Sequence, residues 1–343
     1  MDVSFSELRN GFCVKFKGKN YGVLFDDDMW GSLPQDFREF FIDNYALLKT
    51  IHIPLMFGEK NVRLNRSVPA FRKYFTQMQL TDIPSIYYSQ GISPKSFIDK
   101  IKNAKFKFEN ENVKKIWLDR FNEESCVIGF SFGKDSLLTA ALADEIGLDT
   151  HLFSSEEKGA PIEFKYKEKL SKKLYKELGL KIEKTINETM LMHDFYNFRL
   201  KSKYQYILSH LMTEYVFLML PFAYRHGSKY LFLGNERSCN CYALDKYGNK
   251  CYPSFDQSSE WMLEINKMLG SFGNARVGSL VEPLDDLAIL KILHKRYPKL
   301  AKYQYSCFPD ESKNVENERW CCNCSKCARL FIMLKAIGVK NNG

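Results

Sequence analysis

The chain has 343 residues, of which 45% are hydrophobic and 27% are charged. This is the composition of a folded globular protein; it excludes a disordered chain, and the length predicts two domains or three. The formal net charge of +9 suits an anionic ligand such as a nucleotide or RNA and selects neither. The longest apolar run, residues 215–224, is about half the length of a membrane span, so no membrane partner is expected.

The ten cysteines are unusual for a chain of this kind. No apolar leader opens the sequence, and a core of this size needs no disulfide framework, so we expect reduced thiols and a cytoplasmic protein. Clustered cysteines in such a setting indicate metal binding.

Residues 1–115 are predicted to form a smaller α+β domain. Alternating apolar residues predict a β-hairpin over 12–25, and apolar side chains at helical spacing predict helices over 34–49 and 71–78. This segment shows no catalytic pattern, and we attribute its aromatic residues to packing.

Residues 116–300 alternate between two hydrophobic patterns. Short apolar runs predict strands over 126–130, 150–153, 181–186 and 229–233. Helical periodicity predicts helices over 136–146, 163–178, 202–226, 260–269 and 285–296. Strands that alternate with helices imply an α/β fold, a parallel sheet with helices on both faces. Such a sheet binds ligands beyond the carboxyl ends of its strands.

The first of these strands runs into the sequence SFGKDS, residues 131–136, and a helix follows. A turn at a helix N-terminus offers backbone N–H groups and the positive end of the helix dipole to an anion. Ser131 and Ser136 are candidate hydroxyl donors, Lys134 adds charge, and Asp135 is a helix cap or a Mg²⁺ ligand. Gly133 lets the backbone approach a phosphate closely. The alternative is a structural turn with coincident serines.

This loop is not a Walker sequence. It resembles the S-G-G-x-D-S loop of the PP-loop ATP pyrophosphatases, with Phe132 in the place of a glycine. That superfamily cleaves ATP between the α and β phosphates and typically adenylates a substrate oxygen. The resemblance implies that the residues 131–136 bind ATP, that Lys134 and Asp135 act in catalysis, and that Phe153 and Ser154 border the adenosine.

A second polar loop follows the strand over 229–233 and reads GNERSCN, residues 234–240. The resemblance implies that this loop faces the second substrate. Glu236 is a candidate Mg²⁺ ligand and catalytic residue, and Arg237 is a candidate partner for a carboxylate or phosphate. The alternative is a solvated loop that caps a helix.

Residues 301–343 are predicted to form a zinc-binding tail. Cys321, Cys324 and Cys327 follow Cys307 with C-x-x-C spacing, and four thiolates suffice for tetrahedral Zn²⁺. Cys322 is a spare thiol that could replace Cys321. A redox disulfide and an iron–sulfur cluster are the alternatives. A looser group is interpreted as buried or incidental thiols: Cys239, Cys241 and Cys251.

Within the superfamily, the closest resemblance is to the ATP-dependent epimerases of UDP-N-acetylmuramoyl-L-alanyl-L-glutamate. The matching stretches are residues 131–136, 234–238, 257–260, 279, 282–284, 305–307 and 320–330. The resemblance implies that a carboxylate is adenylated, which makes its α-proton acidic enough for a modest base. Mg²⁺ and Lys134 would neutralise the pyrophosphate leaving group. The candidate bases are His193, Asp194, His210 and Glu260.

These considerations predict ATP, Mg²⁺ and Zn²⁺ as cofactors and a small-molecule carboxylate, a nucleotide-linked peptide, as substrate. Three alternatives stay open. The first is a nitrile-forming ligase, because 7-cyano-7-deazaguanine synthases share the PP-loop, the Ser306-Cys307 pair and the cysteine tail. The second is an RNA-modifying enzyme of the superfamily, which the charge permits although no RNA-binding module is evident. The third is a non-catalytic nucleotide-binding scaffold.

Overall fold

The computed structural model describes residues 1–88, 91–157, 161–193, 198, 210–307 and 320–339. Within these ranges, ten strands form one sheet, and two short strands form a separate hairpin. The strands are β1 (Asp2–Leu8), β2 (Gly11–Phe16), β3 (Lys19–Phe25), β4 (Asn61–Val68), β5 (Lys105–Val113), β6 (Asn122–Gly129), β7 (Asp149–Glu157), β8 (Ile182–Asn187), β9 (Ser228–Phe232), β10 (Ala243–Leu244), β11 (Lys250–Cys251) and β12 (Arg276–Gly278).

The helices cover the faces of this sheet. They are α1 (Asp27–Gly31), α2 (Gln35–Thr50), α3 (Ile53–Phe57), α4 (Arg72–Tyr88), α5 (Lys95–Lys102), α6 (Lys134–Glu145), α7 (Pro161–Leu178), α8 (Leu211–His226), α9 (Ser259–Gly270), α10 (Asp286–Arg296), α11 (Pro298–Ala301) and α12 (Ser325–Ala336). Within the described ranges, none of the helices is long and apolar enough to cross a membrane.

The parallel part of the sheet has the strand order β12-β9-β6-β7-β8. The chain adds β7 and β8 on one side of β6 and then β9 and β12 on the other side, so the order reverses at β6. The loops after β6 and β9 therefore leave the sheet side by side. Open α/β sheets bind their ligands in the crevice at such a reversal point.

Alternate residues of β6 enter the cores on opposite faces of the sheet. Cys126 and Ile128 pack with Leu137 of α6 and Leu174 of α7. Val127 packs on the other face, in the cluster that contains α8 and α9. This arrangement confirms the predicted α/β fold with helices on both faces.

The strands of the N-terminal segment continue the same sheet instead of forming one of their own. β3 pairs antiparallel with β8, with Val23 opposite Asn187, and the order then runs β3-β2-β1-β4-β5. The predicted hairpin is confirmed as β2 and β3, with Phe12 opposite Val23. The predicted domain boundary at residue 115 falls between β5 and β6, which belong to the same sheet. The division into domains stays a prediction.

Candidate functional site

The loop between β6 and α6 carries the residues with the predicted phosphate-binding pattern. The hydroxyl of Ser131 accepts the N–H of Gly133 at 3.3 Å, and the hydroxyl of Ser136 accepts the N–H of Ser131 at 3.2 Å. Ser136 also donates to the carbonyl of Gly133 at 3.1 Å. These bonds fold the loop around the N-terminus of α6, where the helix dipole favours an anion.

Phe132 has a left-handed backbone. Its φ of 63° lies in the left-handed region that glycine enters freely and other residues rarely adopt. Its ring is buried, 5.0 Å from the ring of Phe130, and its carbonyl accepts the N–H of Tyr305 at 2.8 Å. Only the backbone of Phe132 is therefore available to a ligand, while its side chain anchors the loop in the core.

A cavity of about 290 Å³ opens above this loop. Its floor is formed by Ser131, Gly133, Lys134 and Asp135. Its walls include Glu163 and Lys167 of α7, Tyr305 to Cys307, and Lys326 and Arg329 of α12. Four cationic side chains face two carboxylates here, and an excess of cations around a concave site attracts a polyphosphate.

Asp286, in the first turn of α10, joins the loop to the C-terminal helix. Lys134 Nζ lies 2.5 Å from a carboxylate oxygen of Asp135 and 2.5 Å from Oδ1 of Asp286. Arg329 contacts the other carboxylate oxygen of Asp286. Nothing in the sequence pattern marks Asp286 beyond its place after Asp285, the residue that caps this helix.

The loop after β9 lies against the N-terminus of α6. A Cβ atom on Gly234 would lie 2.6 Å from the Cβ of Asp135, so the two loops touch at a point where only glycine fits. Glu236 is buried, and its Oε2 has no hydrogen-bond partner among the described residues, while Oε1 accepts a bond from Ser238. Arg237 is exposed, and its N–H donates to the carbonyl of Leu284 at 2.9 Å.

Asp135 and Glu236 form a pair of interacting carboxylates. Burial raises the pKa of Asp135 and Glu236 raises it further, while Lys134 opposes both effects. Two carboxylates that repel each other, one with an oxygen left without a partner, match the oxygen ligands that Mg²⁺ prefers. The residues present therefore fit a hard divalent cation at this edge of the sheet.

Phe153 and Ser154 lie in β7, beside the loop strand, but neither lines the cavity. The ring of Phe153 is buried 5.0 Å from that of Phe222, in the core on the α8 side. Its carbonyl accepts the N–H of Phe130 at 2.6 Å. Their contact with adenosine stays a prediction.

None of the predicted bases that the structure describes lines this cavity. His193 and His210 are buried around His52, with ring centroids 5.0 and 5.8 Å from the His52 ring. Glu260 accepts bonds from Tyr252 at 2.6 Å and from Lys250 at 3.0 Å. The fourth predicted base, Asp194, lies outside the described residues.

The structure brings Cys307, Cys321, Cys324 and Cys327 together, with their four sulfur atoms within 4.8 Å of one another. The sulfur of Cys327 lies 3.7 Å from those of Cys307 and Cys321. Cys321 is the fourth member of the group, and its neighbour Cys322 is exposed and lies outside it. This group is able to bind a metal. Burial raises the pKa of Cys327 to about 11, so its thiolate needs a cation beside it.

Among the described residues, Cys239, Cys241 and Cys251 do not form a group that could hold a metal. Cys239 is buried, its Sγ donates to Gln257 at 3.4 Å, and burial raises its pKa. Cys251 is buried as well, whereas Cys241 is exposed.

No family model matches this chain, and no curated protein matches it either. Several solved structures resemble it in part, among them the following two. A predicted subunit of tRNA methyltransferase from Methanocaldococcus jannaschii is 17% identical, with a TM-score of 0.32 over 48% of this chain and 71% of the other. The U34-tRNA thiolase NcsA from Methanococcus maripaludis, which carries a [4Fe-4S] cluster, is 12% identical, with a TM-score of 0.30 over 63% and 67%. Similarities of this size support no conclusion about the function of this chain.

Proposed function

We propose that the protein is an ATP-dependent, AMP-forming enzyme of the PP-loop type, which transfers the adenylyl group of ATP to an oxygen of its substrate. The meeting of two loops at the reversal of strand order carries this proposal. The loop over 131–136 offers backbone N–H groups, hydroxyls and a lysine, and the loop after β9 brings Glu236 beside Asp135. The cavity with its excess of cations opens over the first of these loops, and neither Glu236 nor Arg237 lines it.

The roles of the side chains follow from where they lie. The hydroxyls of Ser131 and Ser136 and the N-terminus of α6 would orient the phosphates, and Lys134 would bind the leaving pyrophosphate. Asp135 and Glu236 would hold Mg²⁺, which supplies positive charge to the phosphate oxygens when it is bound. Arg237 is exposed beside this site and would bind the second substrate.

The substrate that we propose is a small-molecule carboxylate. The terminal L-glutamate of a UDP-N-acetylmuramoyl-dipeptide, with inversion of its α-carbon, is the specific candidate, and it rests on the sequence resemblance alone. An adenylated carboxylate loses its charge, so a base removes the α-proton more easily. A proton returned to the opposite face would invert the carbon, and hydrolysis of the adenylate would release AMP and the free carboxylate. A ligase that amidates the adenylate is the variant of this reaction that needs ammonia.

An RNA substrate is the second candidate, and one feature of the surface favours it. The face of the sheet formed by β1, β2, β4 and β5 bears a groove of about 750 Å³. Four of its lining side chains are basic, Lys15, Lys17, Arg63 and Lys107, and two are acidic, Asp2 and Glu109. Basic residues along an open groove bind the phosphate backbone of a nucleic acid independently of its sequence.

The test is to incubate the protein with ATP and Mg²⁺ and to measure AMP, pyrophosphate and ADP in the presence of each substrate candidate. AMP and pyrophosphate are expected, and formation of ADP instead would refute the proposal. Asp135→Asn is expected to slow AMP release about a hundredfold. Asp144→Asn, at the exposed far end of the same helix, is the matched control and is expected to retain activity.

The substrate is identified by parallel reactions. For the epimerase, the muramoyl dipeptide is incubated in D₂O, and AMP release without deuterium at the glutamate α-carbon would reject inversion. Dependence on ammonia would identify the ligase. AMP release that is stimulated by RNA and not by the acids would establish the second candidate.

We also infer that the cysteine cluster holds a single zinc ion. Four sulfurs bound at about 2.3 Å to one tetrahedral ion lie about 3.8 Å apart. The two separations of 3.7 Å from Cys327 agree with that value. In a [4Fe-4S] cluster each thiolate binds a different iron, which spreads the sulfurs further. Elemental analysis for zinc, iron and acid-labile sulfide distinguishes the two.

A further inference from the structure

The helix α12 begins in the cysteine cluster and packs against α10 as far as its last turn. Cys324 caps the helix, because its Sγ accepts the N–H of Cys327 at 3.4 Å. Leu330 and Leu334 pack against Leu290 of α10, while Phe331, one residue beyond Leu330, is exposed. Met333 and Ile337 are partly buried in the same contact, so the thiolates fix the start of this helix and the apolar contact with α10 holds the rest of it.

The same helix brings cations to the nucleotide cavity. Lys326 and Arg329 lie one turn apart and both line the cavity above the loop. Two of the thiols of the cluster, Cys324 and Cys327, alternate with them along the first turns. A metal bound by these thiols would therefore orient Lys326 and Arg329, which face the loop over 131–136.

The ion pair of Arg329 with Asp286 leaves the arginine able to change partner. The side chain of Arg329 is 60% exposed, whereas those of Asp286 and Lys134 are 16% and 13% exposed. An ion pair with an exposed partner contributes little to stability, because solvent screens it. A phosphate in the cavity can thus take over Arg329 while the more buried contact between Lys134 and Asp286 remains.

We propose that Arg329 is a phosphate-binding residue, and that the cysteine-bound metal controls ATP affinity by positioning it. This inference rests on the proposed function, because it takes ATP as the ligand of the cavity. A guanidinium suits a phosphate because it donates two parallel hydrogen bonds. Coupling between two sites is reciprocal, so bound nucleotide also holds the metal more tightly.

Binding of α,β-methylene-ATP, which resists cleavage between the α and β phosphates, tests Arg329 by calorimetry on the full chain with Mg²⁺. Arg329→Ala is expected to weaken binding about tenfold, the loss of one charge-assisted contact, and Arg329→Lys to fall between it and the wild type. Lys335→Ala, on the same helix but outside the cavity lining, is the control and is expected to bind like the wild type. Zinc content is measured on every variant and is expected to be unchanged.

A chelator competition tests the coupling itself. Bound α,β-methylene-ATP is expected to slow the release of zinc to a coloured chelator in the wild type, but not in Arg329→Ala. Two results would overturn this inference while the proposed function stands. One is an equal nucleotide affinity of Arg329→Ala and the wild type, and the other is a rate of zinc release that does not change when the nucleotide binds. Failure of the wild type to bind the nucleotide at all would instead refute the proposed function.

Discussion

Lys49 Nζ lies 2.6 Å from Oε2 of Glu214, and both side chains are almost fully buried. Lys49 belongs to α2 of the N-terminal segment, and Glu214 belongs to α8, which packs on the parallel part of the sheet. The other carboxylate oxygen of Glu214 accepts bonds from Tyr45 at 2.6 Å and from Asn187 at 2.7 Å. This network satisfies a charged pair inside the protein and joins the two predicted segments through their common core.

Glu214→Gln should therefore destabilise the whole protein. The change leaves the ammonium of Lys49 buried without a counter-charge, which costs about 3–5 kcal/mol in other proteins. We expect a loss of that size in the free energy of unfolding by urea. The control is Glu264→Gln, which breaks the exposed pair between Lys267 and Glu264 and should change stability little. Equal effects of the two substitutions would show that the buried pair does not join the segments.

The buried histidines predict a loss of stability in mild acid. Burial lowers the pKa of His210 from 6.5 to about 3, and its Nε2 has no hydrogen-bond partner in the part of the chain that the structure describes. Below pH 6.5 the unfolded chain binds a proton at this residue, whereas the folded protein does not. The contribution of His210 to the free energy of unfolding is therefore complete above pH 6.5 and is lost as the pH falls towards 3. This residue alone should remove about 2 kcal/mol by pH 5. His210→Gln should make the free energy of unfolding depend less on pH between 5 and 7, and an unchanged slope would contradict the assignment.

The sequence pattern predicts the parallel part of the sheet well because helices cover both of its faces and its strands are apolar. The apolar run from Cys126 is followed by a glycine-containing turn and a helix, and each feature is local. The strand β5 (Lys105–Val113) escapes prediction for a physical reason. It lies at the edge of the sheet, where Phe106 and Phe108 touch the core and the alternate residues are exposed, so its mean hydropathy is low.

The parts of the site that the sequence does not reveal depend on contacts between distant segments. Asp286 meets Lys134 and Arg329 only because α10 and α12 pack beside the loop, and no spacing of residues encodes that meeting. The antiparallel pairing of β3 with β8 is of the same kind, because 1–115 could equally have formed its own sheet. The contacts between the four thiols could be predicted although Cys307 is distant from the other three in the sequence, because clustered cysteines indicate a metal site by residue type alone.

Removal of one cluster thiol should release the metal, whereas removal of its neighbour should not. Cys321 is buried in the cluster, and Cys322 is exposed with a φ of 54°. We expect Cys321→Ser to lose the bound zinc and to lower the melting temperature, because a tetrahedral site needs all four ligands. Cys322→Ser should keep one zinc per chain by elemental analysis. Zinc loss in Cys322→Ser and retention in Cys321→Ser would reverse the assignment.

At position 132, glycine should destabilise the protein less than alanine does, the reverse of the usual order. Deleting its buried ring costs about 3–5 kcal/mol in either variant, since a cavity remains. Phe132→Gly also relieves the left-handed backbone, whereas Phe132→Ala keeps that strain, worth about 1–2 kcal/mol. Glycine should therefore be the less damaging replacement in thermal unfolding, although alanine retains more of the side chain. A more stable alanine variant would show that the backbone of residue 132 is not left-handed in solution.

Gly234→Ala tests the contact between the two loops of the site. The added methyl would lie 2.6 Å from the Cβ of Asp135, which is closer than carbon atoms approach, so the loop after β9 and the N-terminus of α6 must separate. A displacement of about 1 Å in a catalytic site costs about a hundredfold in rate. We expect AMP release to fall by that factor while the protein stays folded by circular dichroism. Gly31→Ala is the control, because a Cβ there meets open space, and it should leave the rate unchanged. A Gly234→Ala variant with wild-type AMP release would show that the two loops do not act as one site.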